Sequence, residues 1–210
     1  MKGKVMMVLV ILLSIINLQG VPLNMGRNEF NSFSNEIMES STFCENGLMY
    51  EYSSFIKKSD EKNKIIKFLS EKNQIVNIIE KEDEILAETT NGELSIRFFE
   101  EKSVTKIEVS IVNYNEKKDL KKIKNELNEL KWNKIEGERL YKYQKYKIQD
   151  MQKIHNYLQN KIEDVQITDY YNGCFGTGYL EENEKISFVI SKYNTGYYLI
   201  VGTPTIYISY

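Results

Sequence analysis

From Ile85 to Ile111 apolar and polar residues alternate with period two, and this alternation restricts the possible folds more than any other stretch. Ile85–Thr90 and the run Leu94, Ile96, Phe98 flank Asn91-Gly92, a dipeptide suited to a two-residue hairpin turn. Ile107, Val109 and Ile111 then alternate against Glu108 and Ser110. Strands with one apolar side bury that side and leave the other in water, so these segments predict an antiparallel sheet with helices covering one face. The fold class expected is therefore α+β.

Further elements follow from spacing. Phe30, Phe33, Ile37 and Met38 predict a helix within Asn28–Ser40. Leu48, Tyr50, Tyr52 and Ile56 share one strand parity, and Ser59-Asp60 is placed to cap a helix running to Lys72 with Ile65, Ile66, Phe68 and Leu69 inward. Ile75–Ile79 reads as a short strand before the acidic loop Glu80–Glu84. Asn115–Lys131 is the clearest helix, with Leu120, Ile123, Leu127 and Leu130 in one stripe. Beyond it come a strand at Ile135–Ile148, a helix bearing Met151, Ile154, Leu158 and Ile162, and strands at Val165–Tyr170, Phe175–Leu180, Lys185–Tyr193 and Tyr197–Val201. Strand, helix and four strands thus occur twice. The expectation is two β-α-β-β-β-β halves, 28–114 and 115–210, with Met49-Tyr50-Glu51-Tyr52 matching Leu140-Tyr141-Lys142-Tyr143, and Ile65, Phe68, Leu69 matching Ile154, Tyr157, Leu158.

The start of the chain bears on compartment. Val5–Ile16 is apolar apart from Ser14, follows Lys2 and Lys4, and is shorter than the roughly 20 residues of a spanning helix. Residues 1–20 are expected to be a secretory signal cut near Gly20, or the same segment kept as an N-terminal anchor. Without them the chain holds 26 basic and 30 acidic residues, a net −4, which disfavours general nucleic-acid binding. Export would permit a Cys44–Cys174 disulfide; two free thiols are the alternative.

Catalytic patterns are scarce. His155 is the lone histidine, and its neighbours Met151, Ile154 and Leu158 predict packing at the edge of a core. The zinc spacings, nucleophile elbow and phosphate-binding loop that would name a reaction do not occur. Glu80, Glu82, Asp83 and Glu84 read as a solvated turn, because the alternating ligands and fixed Gly of a calcium loop are missing. Lys117, Lys118, Lys121 and Lys122, with Lys124, crowd one helix and are candidates to contact an anionic surface. Of 15 tyrosines, twelve lie between Tyr141 and Tyr210, so Tyr170, Tyr171, Tyr193, Tyr197 and Tyr198 are the candidate ligand surface. Phe98, Phe99, Phe175 and Phe188 have the chemistry of DNA-kinking wedges, but Phe98 and Phe188 sit on apolar parities and are expected in the core.

The C-terminal third, with Tyr171-Asn172-Gly173, Gly176, Gly178, the strand Lys185–Ile190 and the ending Gly202-Thr203-Pro204-Thr205-Ile206 before Tyr210, resembles the YwmB family of exported Firmicutes proteins. Ser209 stands where members carry an acidic residue before the final Tyr. The resemblance implies a TATA-box-binding-protein-like saddle outside the cytoplasm, with neither catalytic residues nor a cofactor to carry over. The expected function is a non-enzymatic cell-envelope protein that binds a protein, a wall polymer or a membrane surface, the membrane being met only through an uncleaved N-terminal segment. An envelope glycan hydrolase acting through carboxylates and, by fold analogy, a DNA binder are the alternatives.

Overall fold

The structure, a computed structural model, describes residues 29–101, 103–128 and 135–206. The N-terminal segment 1–20 lies outside them. Ten strands form one sheet: β1 (Ser41–Ser54), β2 (Ile75–Glu80), β3 (Glu84–Thr89), β4 (Gly92–Glu101), β5 (Val104–Asn113), β6 (Ile135–Ile148), β7 (Glu163–Tyr170), β8 (Gly173–Tyr179), β9 (Lys185–Tyr193) and β10 (Gly196–Thr203). Among the described residues four α-helices accompany them, α1 (Glu29–Ile37), α2 (Lys58–Ser70), α3 (Leu120–Asn128) and α4 (Met151–Lys161). The strand order is β2-β3-β4-β5-β1-β6-β10-β9-β8-β7, and every neighbouring pair is antiparallel.

Side-chain parity explains this arrangement. Leu48, Tyr50 and Tyr52 of β1 lie opposite Ile111, Val109 and Ile107 of β5, which in turn pair with Leu94, Ile96 and Phe98 of β4. In the other half Phe188 and Ile190 of β9 pair with Val201 and Leu199 of β10. All these residues join one apolar cluster with Phe30, Phe33 and Ile37 of α1, Ile65 and Leu69 of α2, Leu120 and Ile123 of α3, and Ile154 and Leu158 of α4. The helices therefore cover one face, as the alternation predicts. Each large side chain buried there contributes about 1.5–3 kcal/mol, and this burial, more than local propensity, holds the helices in place.

Several local expectations change. The β3–β4 hairpin is centred one residue earlier, because Thr89 pairs with Gly92 and leaves Thr90-Asn91 as the loop. The Thr89 hydroxyl donates to the Gly92 carbonyl at 3.1 Å and accepts from the Asn91 amide at 3.3 Å. Gly92 is instead a ladder residue, where a Cβ would lie 2.0 Å from the Val112 carbonyl oxygen. The helix expected from Asn115 begins at Leu120, since Asn115 accepts from the Lys117 amide in a preceding turn and Asp119 caps the helix through the Lys122 amide at 2.8 Å; its expected end at Lys131 lies outside the described residues. Neither Ser59 nor Asp60 caps α2, whose N-cap position is Lys57.

The residue match between the two central strands also fails. Tyr50 pairs with Leu140 and Leu48 with Lys142, so Tyr50 and Tyr52 face the helices while Tyr141 and Tyr143 point to the other side. A one-residue offset reverses every side chain in a strand. Ile65 and Leu69 of α2 and Ile154 and Leu158 of α4 are all buried in the same core.

On the face away from the helices, the Tyr143 ring covers Gly47, where a Cβ would sit 2.3 Å from Tyr143 Cε1 and 2.3 Å from the Ile111 carbonyl oxygen. Gly47→Val should cost about 1–3 kcal/mol, as overpacking generally does, and lower the urea midpoint. An unchanged midpoint would show that the seam between the central strands is loosely packed there.

Candidate functional site

Opposite the helices, charged residues form a ladder across five strands. Arg97 of β4 approaches Glu84 of β3 at 3.2 Å and Glu108 of β5 at 3.5 Å. Lys106 of β5 and Arg139 of β6 flank Glu51 of β1 at 3.8 and 3.9 Å, and Lys145 of β6 lies 3.9 Å from Glu45 of β1. Burial pushes the Glu108 carboxyl up, whereas Lys81, Arg97 and Ser95 hold Glu84 below the ordinary carboxylate value. Phe99 points to this face and is 44% exposed; Phe175 shares its side of the sheet, while Phe98 and Phe188 are buried as expected.

The tyrosines divide by parity. Tyr198 pairs across the ladder with Lys147 and Ser191, placing it with Tyr193 on the face away from the helices. The two rings meet edge to face, their centroids 5.4 Å apart. Lys145 Nζ lies 5.8 Å from the Tyr198 centroid, and Lys147 is exposed beside it. The Tyr170 hydroxyl donates to the Ile190 carbonyl at 3.1 Å and lies 2.5 Å from Ser191 Oγ, which brings β7 into the same group. Tyr197 has the opposite parity and lies under Lys192 at 5.5 Å, and Tyr171 projects from the β7–β8 turn, fully exposed. Three of the five nominated tyrosines, Tyr170, Tyr193 and Tyr198, thus come together with Lys145 and Lys147. The two lysines were legible only once the β6–β10 register was known. At the other end of β10 this face is partly covered, since the Ile206 amide donates to Ser187 Oγ at 2.9 Å.

The remaining candidates separate. Cys44 and Cys174 are free thiols; β1 and β8 are four strand spacings apart, roughly 19 Å. A disulfide requires Cα atoms within about 7 Å, so this fold rules out the Cys44–Cys174 bond considered from the sequence. Lys117 and Lys118 precede α3, with Lys118 paired to Glu126 at 2.7 Å, while Lys121 and Lys122 are exposed on the helix. The acidic loop is neutralised from within the protein: Lys62 holds Glu80 at 2.8 Å, Lys58 contacts Asp83, and Lys81 meets Glu84 at 2.9 Å. His155 is exposed and lines a small cavity at the edge of the core with Leu158, Asp169 and Cys174. Among the described residues no cluster of three His, Cys, Asp or Glu side chains is arranged to hold a metal, and no helix is long and apolar enough to cross a membrane.

One buried acid lies elsewhere. Glu61 of α2 is 1% exposed, and its Oε2 and the nearby Tyr52 hydroxyl have no hydrogen-bond partner among the described residues. Burial raises the Glu61 carboxyl above its ordinary value of 4.5, with Lys64 opposing the shift.

No protein-family model and no curated protein matches this chain.

Two outcomes follow from these placements. Thiol titration of the denatured, unreduced protein should count two thiols per chain; none would mean that a bond forms against this geometry. Because Glu61 is harder to ionise when folded, its stabilising contribution is complete below the unfolded pKa and falls as pH rises from about 4.5 toward the folded value. Glu61→Gln should remove that decline, so that its stability relative to the wild type rises with pH, measured by urea unfolding from pH 4 to 8. Parallel curves for the two proteins would show that Glu61 ionises freely.

Proposed function

We propose that this chain is a non-catalytic cell-envelope protein outside the cytoplasm that binds an anionic wall polymer on the face of its sheet opposite the helices. The observation that carries this reading is the grouping of Tyr170, Tyr193 and Tyr198 with Lys145 and Lys147 on that face. Tyrosine rings offer flat amphipathic surfaces to sugars, and lysines beside them favour negative charge. Export through residues 1–20 and kinship with the YwmB family belong to the same proposal.

A TATA-box-binding-protein-like pseudo-repeat is also part of the reading. In its favour, the sheet order runs outward from β1 and β6 in the same sense on both sides, and α2 and α4 each lead from a central strand to the outermost one. DNA binding does not follow, because Glu45, Glu51, Glu84 and Glu108 occupy the face that would meet phosphates. One observation favours the hydrolase as the second reading: Glu51 and Glu108 are directly paired across β1 and β5, and carboxylate pairs carry glycoside hydrolysis. Arg97, Lys106 and Arg139 surround them, which suits a structural network better than proton transfer.

Purified protein should cosediment with isolated cell wall, and the double substitution Tyr193→Ala, Tyr198→Ala should weaken binding about thirtyfold while the protein still unfolds cooperatively, as expected when two stacking contacts of about 1 kcal/mol each are lost. Equal binding by the variant would overturn the site assignment. Salt-sensitive binding to duplex DNA in its place would support the saddle analogy, and release of wall fragments that is lost in Glu108→Gln would support the hydrolase. Protease added to intact cells should degrade the chain while cytosolic markers survive; its protection would refute export.

A further inference from the structure

Strand β7 ends the sheet on one side, so its outer edge presents backbone groups to no neighbouring strand among the described residues. Such an edge can template an added strand. Beneath it, a cavity of about 80 Å³ lies between α4 and the helix-facing side of β7 and β8. Its origin lies in β8. The register opposes Cys174 to Ile190 and Gly176 to Phe188, so β8 turns small residues toward the core. A Cβ at Gly176 would fall 2.1 Å from the Phe188 ring, which fills that position and leaves the space over Cys174 open. Leu158, Phe188 and Ile190 form a buried floor, whereas His155, Gln159, Ile167 and Asp169 on the rim are exposed. The cavity therefore opens toward the free edge, where Ile167 is 42% exposed. A water takes about 30 Å³ of liquid, so the space suits a single aliphatic side chain better than a cofactor.

Charge selects the occupant. β7 carries Glu163, Asp164 and Asp169, all exposed, and neither Lys nor Arg. A second copy laid antiparallel on this edge would bring carboxylates against carboxylates, which destabilises strand pairing. The ladder is interrupted between Glu163 and Gln166, and Asp164 has φ 49°, so regular pairing is available along Gln166–Tyr170. β2, at the opposite end of the sheet, exposes Val76 and Ile79 but carries only Glu80 as a charge, and so offers no comparable selection.

We propose that β7 is a docking edge for a basic, extended peptide segment of a partner protein, which adds antiparallel along Gln166–Tyr170 and seats one aliphatic side chain in the cavity above Cys174. Main-chain pairing supplies the frame of such an interaction, and the cavity and carboxylates supply the selectivity. The edge ends at Tyr170, whose side chain belongs to the Tyr and Lys group, but it uses the backbone of β7 and the helix-facing cavity rather than the opposite face. Tyr193→Ala, Tyr198→Ala should therefore leave peptide binding unchanged, and each assignment can fail without the other.

The test uses the intact protein and three labelled, end-blocked hexapeptides: alternating Lys and Leu, the same peptide with its central Leu replaced by Pro, and alternating Glu and Leu. The Lys/Leu peptide should bind, slow hydrogen exchange along Gln166–Tyr170 and retard alkylation of Cys174, and the other two should bind at least tenfold more weakly. Cys174→Leu, which fills the cavity, should weaken the Lys/Leu peptide about tenfold. Asp169→Lys changes only an exposed rim residue, and should weaken that peptide while strengthening the Glu/Leu one. Equal binding by the Pro peptide, or no response to either substitution, would reduce the effect to charge adsorption and overturn the proposal. A dimer of the free protein that protects the same β7 amides would overturn it in favour of a second copy.

Discussion

The antiparallel pairing of β1 with β6 is the interaction on which the other contacts depend. Both strands have fourteen residues, and they join two groups of four strands that would otherwise be separate sheets. Their seam needs Gly47, because the Tyr143 ring occupies the place of a side chain and the Tyr143 hydroxyl then reaches Glu45 at 3.2 Å. Irregularities at Phe43/Glu45 and Glu51/Ser53 interrupt the ladder near either end. With this seam in place the two halves share one apolar core, and neither has to bury its strands alone.

Covering one face with helices separates two kinds of chemistry. On the helix side, polar groups occur as anchors. Asn113 donates to Asn46 at 2.8 Å, Asn46 donates to the Lys118 carbonyl at 3.1 Å, and together they fix the turn before α3. Glu184 gathers the Phe30 amide, the Thr203 hydroxyl and Lys142, whose ammonium is pushed down by burial, and so links α1 to β6 and β10. On the other side the same alternation gives cross-strand ion pairs and tyrosines, some of them buried, as Tyr143 and Glu51 are, and some exposed, as Tyr193 is, where a ligand can replace water. The two faces differ because each strand places successive side chains on opposite sides.

Much of this was legible in the residues. The ends of β6 and the bodies of α1 and α4 matched their spacing, since strong periodicity with a clear boundary leaves few alternatives. Where polar groups competed for the backbone, the reading shifted by a few residues: Asp119 took the cap that spacing had placed near Asn115, and the Thr89 hydroxyl moved the hairpin loop away from Asn91-Gly92. Gly92 illustrates the difficulty well. Its sequence neighbours suggest a turn, whereas its role is close approach to β5. The Tyr pairs of the central strands matched as letters and faced opposite ways, because parity is counted from a partner strand that the letters do not identify.

By itself, the sequence determined that this chain makes a one-sidedly covered antiparallel α+β sheet, since period-two apolar strands and period-3.6 helices cannot bury their apolar faces except against one another. It also determined which residue types were available, rich in Tyr and Lys and poor in His and Cys. Tertiary structure alone decided that Tyr170, Tyr193, Tyr198, Lys145 and Lys147 meet while Cys44 and Cys174 do not, and that β7 is left at an edge beside a cavity. The reason is that strand order and register set every distance across a sheet, and both are fixed by packing between segments far apart in the chain.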